Sequence, residues 1–325
     1  MAWLSFSMGF CLLIWVHLML IDFLRKHGFG EDDFAFVGWP HNTLTRIEFN
    51  AEELCQHIEH ALGATANIPL RLAFVCHSRG GLLARFAAAT LFERDLQRWE
   101  PIIRGCVTFG TPHLGTGLAD APDKLIAAFI AAGAWRESGR LAPLNDVLWI
   151  AKANGVLEGV EDLRTLQGRL PGRNREPFQR TLADKERAAD IRKQRILNIL
   201  TVGGSISKTA KWYYDVAGRA LGGVDHDVAV PLSSSLPHGY SNFSREPPTD
   251  CDHFSYFSEH EPYKPHYTKV ADYLKRVLDW NECEIKRLQQ ASQTSEQIQI
   301  EDKGDFVLIG GVRINKKKWP KLKSE

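Results

Sequence analysis

Leu70-Arg71-Leu72-Ala73-Phe74-Val75-Cys76-His77-Ser78-Arg79-Gly80-Gly81-Leu82-Leu83 runs apolar but for Arg71 as far as Cys76, turns at a serine and leaves as a helical pattern. The run Leu70–Cys76 does not alternate between apolar and polar, so it reads as a strand buried on both faces. Gly80 to Phe92 reads as the helix that follows, and Gly80 allows strand and helix to pack closely at the turn. A serine between such a strand and such a helix projects its Oγ above the sheet, and the helix N-terminus faces any negative charge that develops there. The plainer reading of Ser78 is an ordinary helix N-cap.

Outward from this stretch the pattern repeats. Phe34–Val37, Gly105–Phe109 and Ile196–Val202 are further short apolar runs, rich in β-branched or aromatic residues, and read as buried strands. Asn50-Ala51-Glu52-Glu53 reads as a capping-box start to a helix through Leu62, with Ala51, Leu54, Cys55, Ile58 and Leu62 on one stripe. Tyr267 to Leu288 reads as a long amphipathic helix. Strands alternating with helices predict right-handed βαβ units and a mainly parallel sheet, an α/β architecture. Residues 120–195 break the rhythm with helical patterns at Lys124–Trp135, Leu144–Asn154 and Leu182–Gln194 and no clear strand, which suggests a helical cap inserted in a domain spanning 1–288. Residues 289–325 read as a polar linker, a small hairpin (Phe306–Ile309 and Val312–Ile314 around Gly310-Gly311) and the basic tail Lys316-Lys317-Lys318-Trp319.

The chain ends of this pattern bear on location. Met1 to Ile21 carry no Asp, Glu, Lys or Arg. About 20 apolar residues can span a bilayer, so a membrane anchor over 1–21 is one reading. The favoured one is a buried strand, Phe10–Val16, running into a helix, Leu18–His27. The 325 residues hold 40 Lys+Arg against 39 Asp+Glu, a net charge of +1, without the basic excess of a nucleic-acid binder. The hydrophobic share of 44% and charged share of 24% fit an ordinary globule and exclude disorder. Six cysteines without a Cys-x-x-Cys pair read as reduced core thiols, which points to the cytoplasm. The chain has no His/Cys cluster at zinc spacing, and Gly203-Gly204 lacks a nucleotide-binding pattern, so no metal or cofactor is called for.

A second motif, Thr108-Phe109-Gly110-Thr111-Pro112-His113-Leu114-Gly115-Thr116, follows the strand Gly105–Phe109. Together with Ser78-Arg79-Gly80-Gly81 it resembles the lipase and esterase branch of the α/β-hydrolases, closest to bacterial relatives of the GPI-inositol deacylases. The resemblance covers Phe34 to Leu278. It departs at Cys76, where the family has glycine.

The resemblance implies a triad in the order nucleophile, acid, histidine. Ser78 would be the nucleophile. Asp227, followed by Val230, Pro231 and Ser233–Ser235, matches the register of the family's acid, and Asp225 is the alternative. His253, before the aromatic residues Phe254, Tyr256 and Phe257, matches the histidine loop, ahead of its competitors His238, His260 and His266. His113 reads as structural. The oxyanion hole would use the backbone N–H of Arg79 and a second N–H from the end of the first core strand. The candidate there is Leu18, in Trp15-Val16-His17-Leu18, with leucine in place of the family's glycine.

These residue types carry acyl transfer. A serine hydroxyl is a weak nucleophile until a histidine takes its proton, and an aspartate fixes the imidazole tautomer and stabilises the imidazolium. The implied activity is ester hydrolysis on a small-molecule or lipid acyl ester, with a membrane surface as a possible partner. The alternative is a binding module of the same fold that has lost catalysis through Cys76, Leu18 and a degraded oxyanion hole.

Overall fold

The computed structural model describes residues 2–9, 16–29, 34–41, 45–63, 71–120, 156–166, 176–191, 197–206, 218–219, 221–253, 255–257, 265–278, 300–302, 306–309 and 312–315. Its core is a sheet built from β1 (Ala2–Gly9), β2 (Phe34–His41), β3 (Arg71–His77), β4 (Ile103–Phe109), β5 (Ile199–Val202) and β6 (Phe243–Arg245). The spatial order is β2-β1-β3-β4-β5-β6, and every pair is parallel.

Parallel strands need crossovers, and helices supply them on both faces. On one face lie α2 (Ile47–Gly63), α3 (Arg79–Arg94) and α6 (Phe178–Ile191), whose Leu54, Leu82, Leu83, Phe178 and Leu182 pack with Leu72, Phe74, Cys76 and Cys106 of the strands. On the other face, α1 (Val16–Lys26) and α8 (Pro265–Val277) bring Leu20, Phe23, Tyr267 and Leu274 against Ala73, Val75, Val107 and Phe109. Successive residues of β3 thus enter opposite cores, and both cores are apolar. That is why the sequence run does not alternate. Each fully buried Leu or Phe here contributes roughly 1.5–3 kcal/mol relative to an exposed side chain.

Smaller elements complete the chain: α4 (Leu96–Trp99), α5 (Val156–Glu161), α7 (Leu232–Ser235), and a separate antiparallel sheet of β7 (Ile300–Asp302), β8 (Phe306–Ile309) and β9 (Val312–Asn315). The helical patterns at Lys124–Trp135 and Leu144–Asn154 lie outside the described residues. The third, Leu182–Gln194, corresponds to α6, which packs beside α3, with the Phe86 and Phe178 rings tilted against each other at 5.6 Å.

Two expectations are corrected. The first described strand is residues 2–9, ahead of the expected Phe10–Val16, of which 10–15 lie outside the described residues and Val16 opens a helix. The cue within β1 is the short alternation Leu4-Ser5-Phe6-Ser7-Met8, which the longer continuous apolar run after it outweighs as a signal of a buried strand. Residues 2–9 are also the strand between β2 and β3, which removes the reading of 1–21 as a spanning helix. Among the described residues no helix is long and apolar enough to cross a membrane. The second correction is the start of α2. Asn50 is not its cap but sits inside it, buried, with Nδ2 donating to Thr45 Oγ1 and to the Arg46 carbonyl. The helix starts at Ile47, whose N–H donates to Asp162 Oδ2 at 2.6 Å, a cap that comes from 115 residues away.

Candidate active site

β3 ends at His77, α3 begins at Arg79, and Ser78 alone makes the turn between them, at φ 53° and ψ −131°. Such a conformation is strained for any residue with a Cβ and persists only where its surroundings impose it. Here Ser78 N–H donates to the Phe109 carbonyl at 2.8 Å, and the Ser78 carbonyl accepts from Thr111 Oγ1 at 2.8 Å. Gly81 permits this closeness, because a Cβ there would lie 2.3 Å from Thr111 Oγ1 and 2.8 Å from Thr108 Cγ2. Cys76, where the hydrolase pattern has glycine, is fully buried in the α2–α3 core.

Asp227 lies on the loop between β5 and β6, and His253 on the loop between β6 and α8. Both loops leave the C-terminal ends of parallel strands, as does Ser78. The structure brings the three side chains together: His253 Nε2 lies 2.8 Å from Ser78 Oγ, and His253 Nδ1 lies 2.8 Å from Asp227 Oδ2. A carboxylate only accepts, so Nδ1 carries the proton and Nε2 is left to accept from the serine hydroxyl.

The carboxylate of Asp227 is fully buried and fully engaged. Its Oδ1 accepts from the N–H groups of Ala229 (3.1 Å) and Val230 (2.7 Å), and its Oδ2 accepts from His253 Nδ1 and from the Tyr256 hydroxyl at 2.9 Å. Four donors allow a charge to sit in an apolar interior. The tight turn that delivers the two N–H groups puts Val228 at φ 87°, a rare conformation for a β-branched residue. His226 Nδ1 accepts the Val228 N–H at 2.9 Å and supports that turn. Tyr256 also accepts from the Gly204 N–H at 2.6 Å, and its ionisation is pushed well above the usual phenol range by burial and then by the Asp227 charge. It therefore stays a donor. Gly110, at φ 54°, lies so close that a Cβ would meet Asp227 Oδ2 at 2.7 Å.

The other candidates fall elsewhere. Asp225 is exposed, and its carbonyl accepts from Leu232 N–H at 2.8 Å. His238 is exposed and pairs with Arg245. His266 is buried against Phe109 and Tyr267. His260 and Phe254 lie outside the described residues. His113 is buried in a polar cluster, with Nδ1 3.0 Å from Arg85 Nη1 and Nε2 3.1 Å from Thr108 Oγ1.

Arg79 is the first residue of α3, so its N–H belongs to the helix turn whose donors point out of the end. Its side chain is buried, donates to the Thr45 carbonyl and pairs with Asp162 at 3.7 Å. Burial lowers the guanidinium to about 10. Leu18 is not at a strand end but in the first turn of α1. β1 ends at Gly9, two residues past Ser7, which pairs with Cys76 near the end of β3. Tyr256, His77 and Asp162, all at or against this site, carry no mark in the local sequence that would single them out.

Residues 17–161 match a sequence family described as a domain of unknown function, DUF7379. No curated protein matches the sequence. Among solved structures the chain is similar to phospholipase PlaB from Legionella pneumophila, at 12% identity and a TM-score of 0.54, over 94% of this chain and 68% of that one. It is also similar to the lipase BlEst2 from Bacillus licheniformis in its propeptide form, at 17% identity and a TM-score of 0.52, over 83% of this chain and 49% of that one. The chain thus spans about half of the Bacillus lipase. At these identities the likeness establishes architecture. The protein has the α/β-hydrolase fold.

Proposed function

We propose that the protein is a serine ester hydrolase in which Ser78 is the nucleophile, His253 the general base and Asp227 the acid that orients it. The observation that carries this reading is the unbroken relay from Asp227 Oδ2 through His253 to Ser78 Oγ, with both hydrogen bonds at 2.8 Å. As Ser78 Oγ attacks an acyl carbon, His253 Nε2 takes its proton, and the imidazolium is held against the Asp227 carboxylate. The same proton then passes to the leaving alkoxide, and water repeats the sequence on the acyl-enzyme.

The tetrahedral oxyanion would be met by the Arg79 N–H at the start of α3. The second donor, expected at Leu18, is better sought where β1 ends, because β1 runs beside the strand that leads into Ser78 and Leu18 belongs to α1. The substrate class is an acyl ester. The lipase and phospholipase among the similar structures favour a lipid ester over a small water-soluble one. Residues 120–195 would form the insertion that shapes the acyl pocket.

A fluorophosphonate probe tests the proposal. It should label the wild type on Ser78, leave Ser78→Ala unlabelled, and block cleavage of short p-nitrophenyl esters. Folded wild-type protein that resists the probe and hydrolyses no ester would overturn it. The alternative of a catalytically silent binding module finds less support, since His253 Nε2 lies within reach of Ser78 Oγ and Leu18, on which that alternative leaned, belongs to a helix.

A further inference from the structure

We infer that His77 is a positioning residue, which sets the distance between the nucleophile and the base by tying the His253 main chain to the strand that carries Ser78. The inference rests on the triad reading above and adds to it a residue that touches neither substrate nor reacting atom.

His77 is the last residue of β3, is 2% exposed, and its Nε2 lies 2.7 Å from the His253 carbonyl oxygen. A carbonyl only accepts, so His77 must carry a proton on Nε2 to make this bond. The imidazole ring also packs against that of His253, with centroids 4.7 Å apart, and meets Tyr256 and Phe257 edge-on at 5.9 Å each. These contacts leave the ring little freedom to rotate, and the bond is short and shielded from water.

The His253 main chain is gripped from the other side as well, because its N–H donates to the Asp227 carbonyl at 2.7 Å. A second line of hydrogen bonds therefore runs beside the catalytic relay. It passes from the Asp227 backbone to the His253 backbone, then to the His77 side chain and through one peptide to Ser78. The relay decides which atoms exchange a proton; the parallel line decides where those atoms sit. Without His77, the His253 peptide keeps its bond to Asp227 but loses its tie to β3, so the imidazole can follow Asp227 away from the serine. A displacement of about 1 Å in such a contact can cost on the order of 100-fold in rate.

The test uses three variants of the full chain, with melting curves to confirm folding. His77→Phe keeps the ring contacts and removes the donor. His77→Gln places an amide nitrogen the same number of bonds from the backbone as Nε2, and His77→Asn places one that is a bond too short. His77→Phe and His77→Asn should lower kcat for a p-nitrophenyl ester by about 10- to 100-fold with little change in KM, and slow fluorophosphonate labelling in parallel. His77→Gln should recover most of the loss. If His77→Phe does not fold, the Gln and Asn pair decides. Equal activity in those two, or wild-type labelling rates in folded His77→Phe, would overturn the inference while leaving the triad intact. Absence of labelling in the wild type itself would overturn the triad and this inference with it.

Discussion

His253 and His113 are both buried imidazoles at the C-terminal edge of the sheet, at 1% and 3% exposure, and they differ in what faces Nδ1. In His253 it is the Asp227 carboxylate, which only accepts, so the proton sits on Nδ1 and Nε2 is a base. In His113 it is the Arg85 guanidinium, which only donates, so the proton sits on Nε2 and goes to Thr108 Oγ1. The charged form of His253 is met by an anion. The charged form of His113 would be met by a cation, and burial followed by Arg85 holds its pKa well below the usual 6.5. Residue type and burial are the same; the sign of one neighbour separates a base from a structural donor.

The clusters around the two histidines also differ in what they join. Arg85 is gripped in bidentate fashion by Glu186 of α6, at 2.8 and 2.7 Å, and lies over the Phe243 ring at 5.2 Å. That network ties α3 to α6 and β6. The Asp227 network instead joins the loops that leave the strands. One holds the scaffold and the other holds the proposed triad.

The sharpest test of this comparison replaces the anion. Asp227→Asn should lower kcat for an ester about 10,000-fold, because an amide neither selects the Nδ1 tautomer nor stabilises the imidazolium. His113→Gln should leave kcat unchanged. Equal losses in the two variants would erase the distinction. Next in size is the ion pair of the other network. Glu186→Ala strands the buried Arg85 charge and should cost about 3 kcal/mol in urea unfolding, with kcat intact well below the transition. An unaltered unfolding midpoint would show that Arg85 finds another partner.

Gly81→Ala strikes both regions at once. The new Cβ meets Thr111, which holds the Ser78 carbonyl, and Thr108, which accepts from His113. It should destabilise by about 2 kcal/mol and slow labelling of Ser78. A variant as stable and reactive as the wild type would show that the loop after β4 yields freely. The smallest effect is in pH. A histidine whose folded pKa is depressed binds fewer protons folded than unfolded, so stability rises with pH across that window and is lost as pH falls below about 6.5. The slope for one such group is at most about 1.4 kcal/mol per pH unit. His226, lowered by burial, has the same sign. His113→Gln should flatten the slope without abolishing it, and an unchanged slope would place the titration elsewhere.

Legibility in the sequence followed the range of the interaction. Ser78 stood out because strand, turn and helix are consecutive, and the β4 motif because Gly110 and Thr111 act within a few residues of their strand. The start of α2 was misread at Asn50 because the group that caps Ile47 is Asp162, and nothing local to either residue announces the other. The first strand is hard to place because its alternation, Leu4-Ser5-Phe6-Ser7-Met8, is short and lies beside a longer continuous apolar run with the pattern of a buried strand. Leu18 lies in the helix expected at Leu18–His27, so it does not close the first strand. Asp227 and Asp225 sit two residues apart, and in the sequence only the register of Val230, Pro231 and Ser233–Ser235 favours Asp227. One is fully buried with four donors and the other exposed.

The residues themselves determined the alternation of strand and helix, the parallel sheet it implies, and the serine turn, since each follows from apolar runs and glycines within about a dozen positions. Only the tertiary structure decided which aspartate faces His253, which nitrogen of each buried histidine holds the proton, and that His77 reaches across to the His253 carbonyl. Those outcomes depend on the sign and placement of groups that meet only when distant loops are brought to one edge of the sheet. A hydrogen bond is set by distances of a few tenths of an ångström, which sequence spacing does not encode.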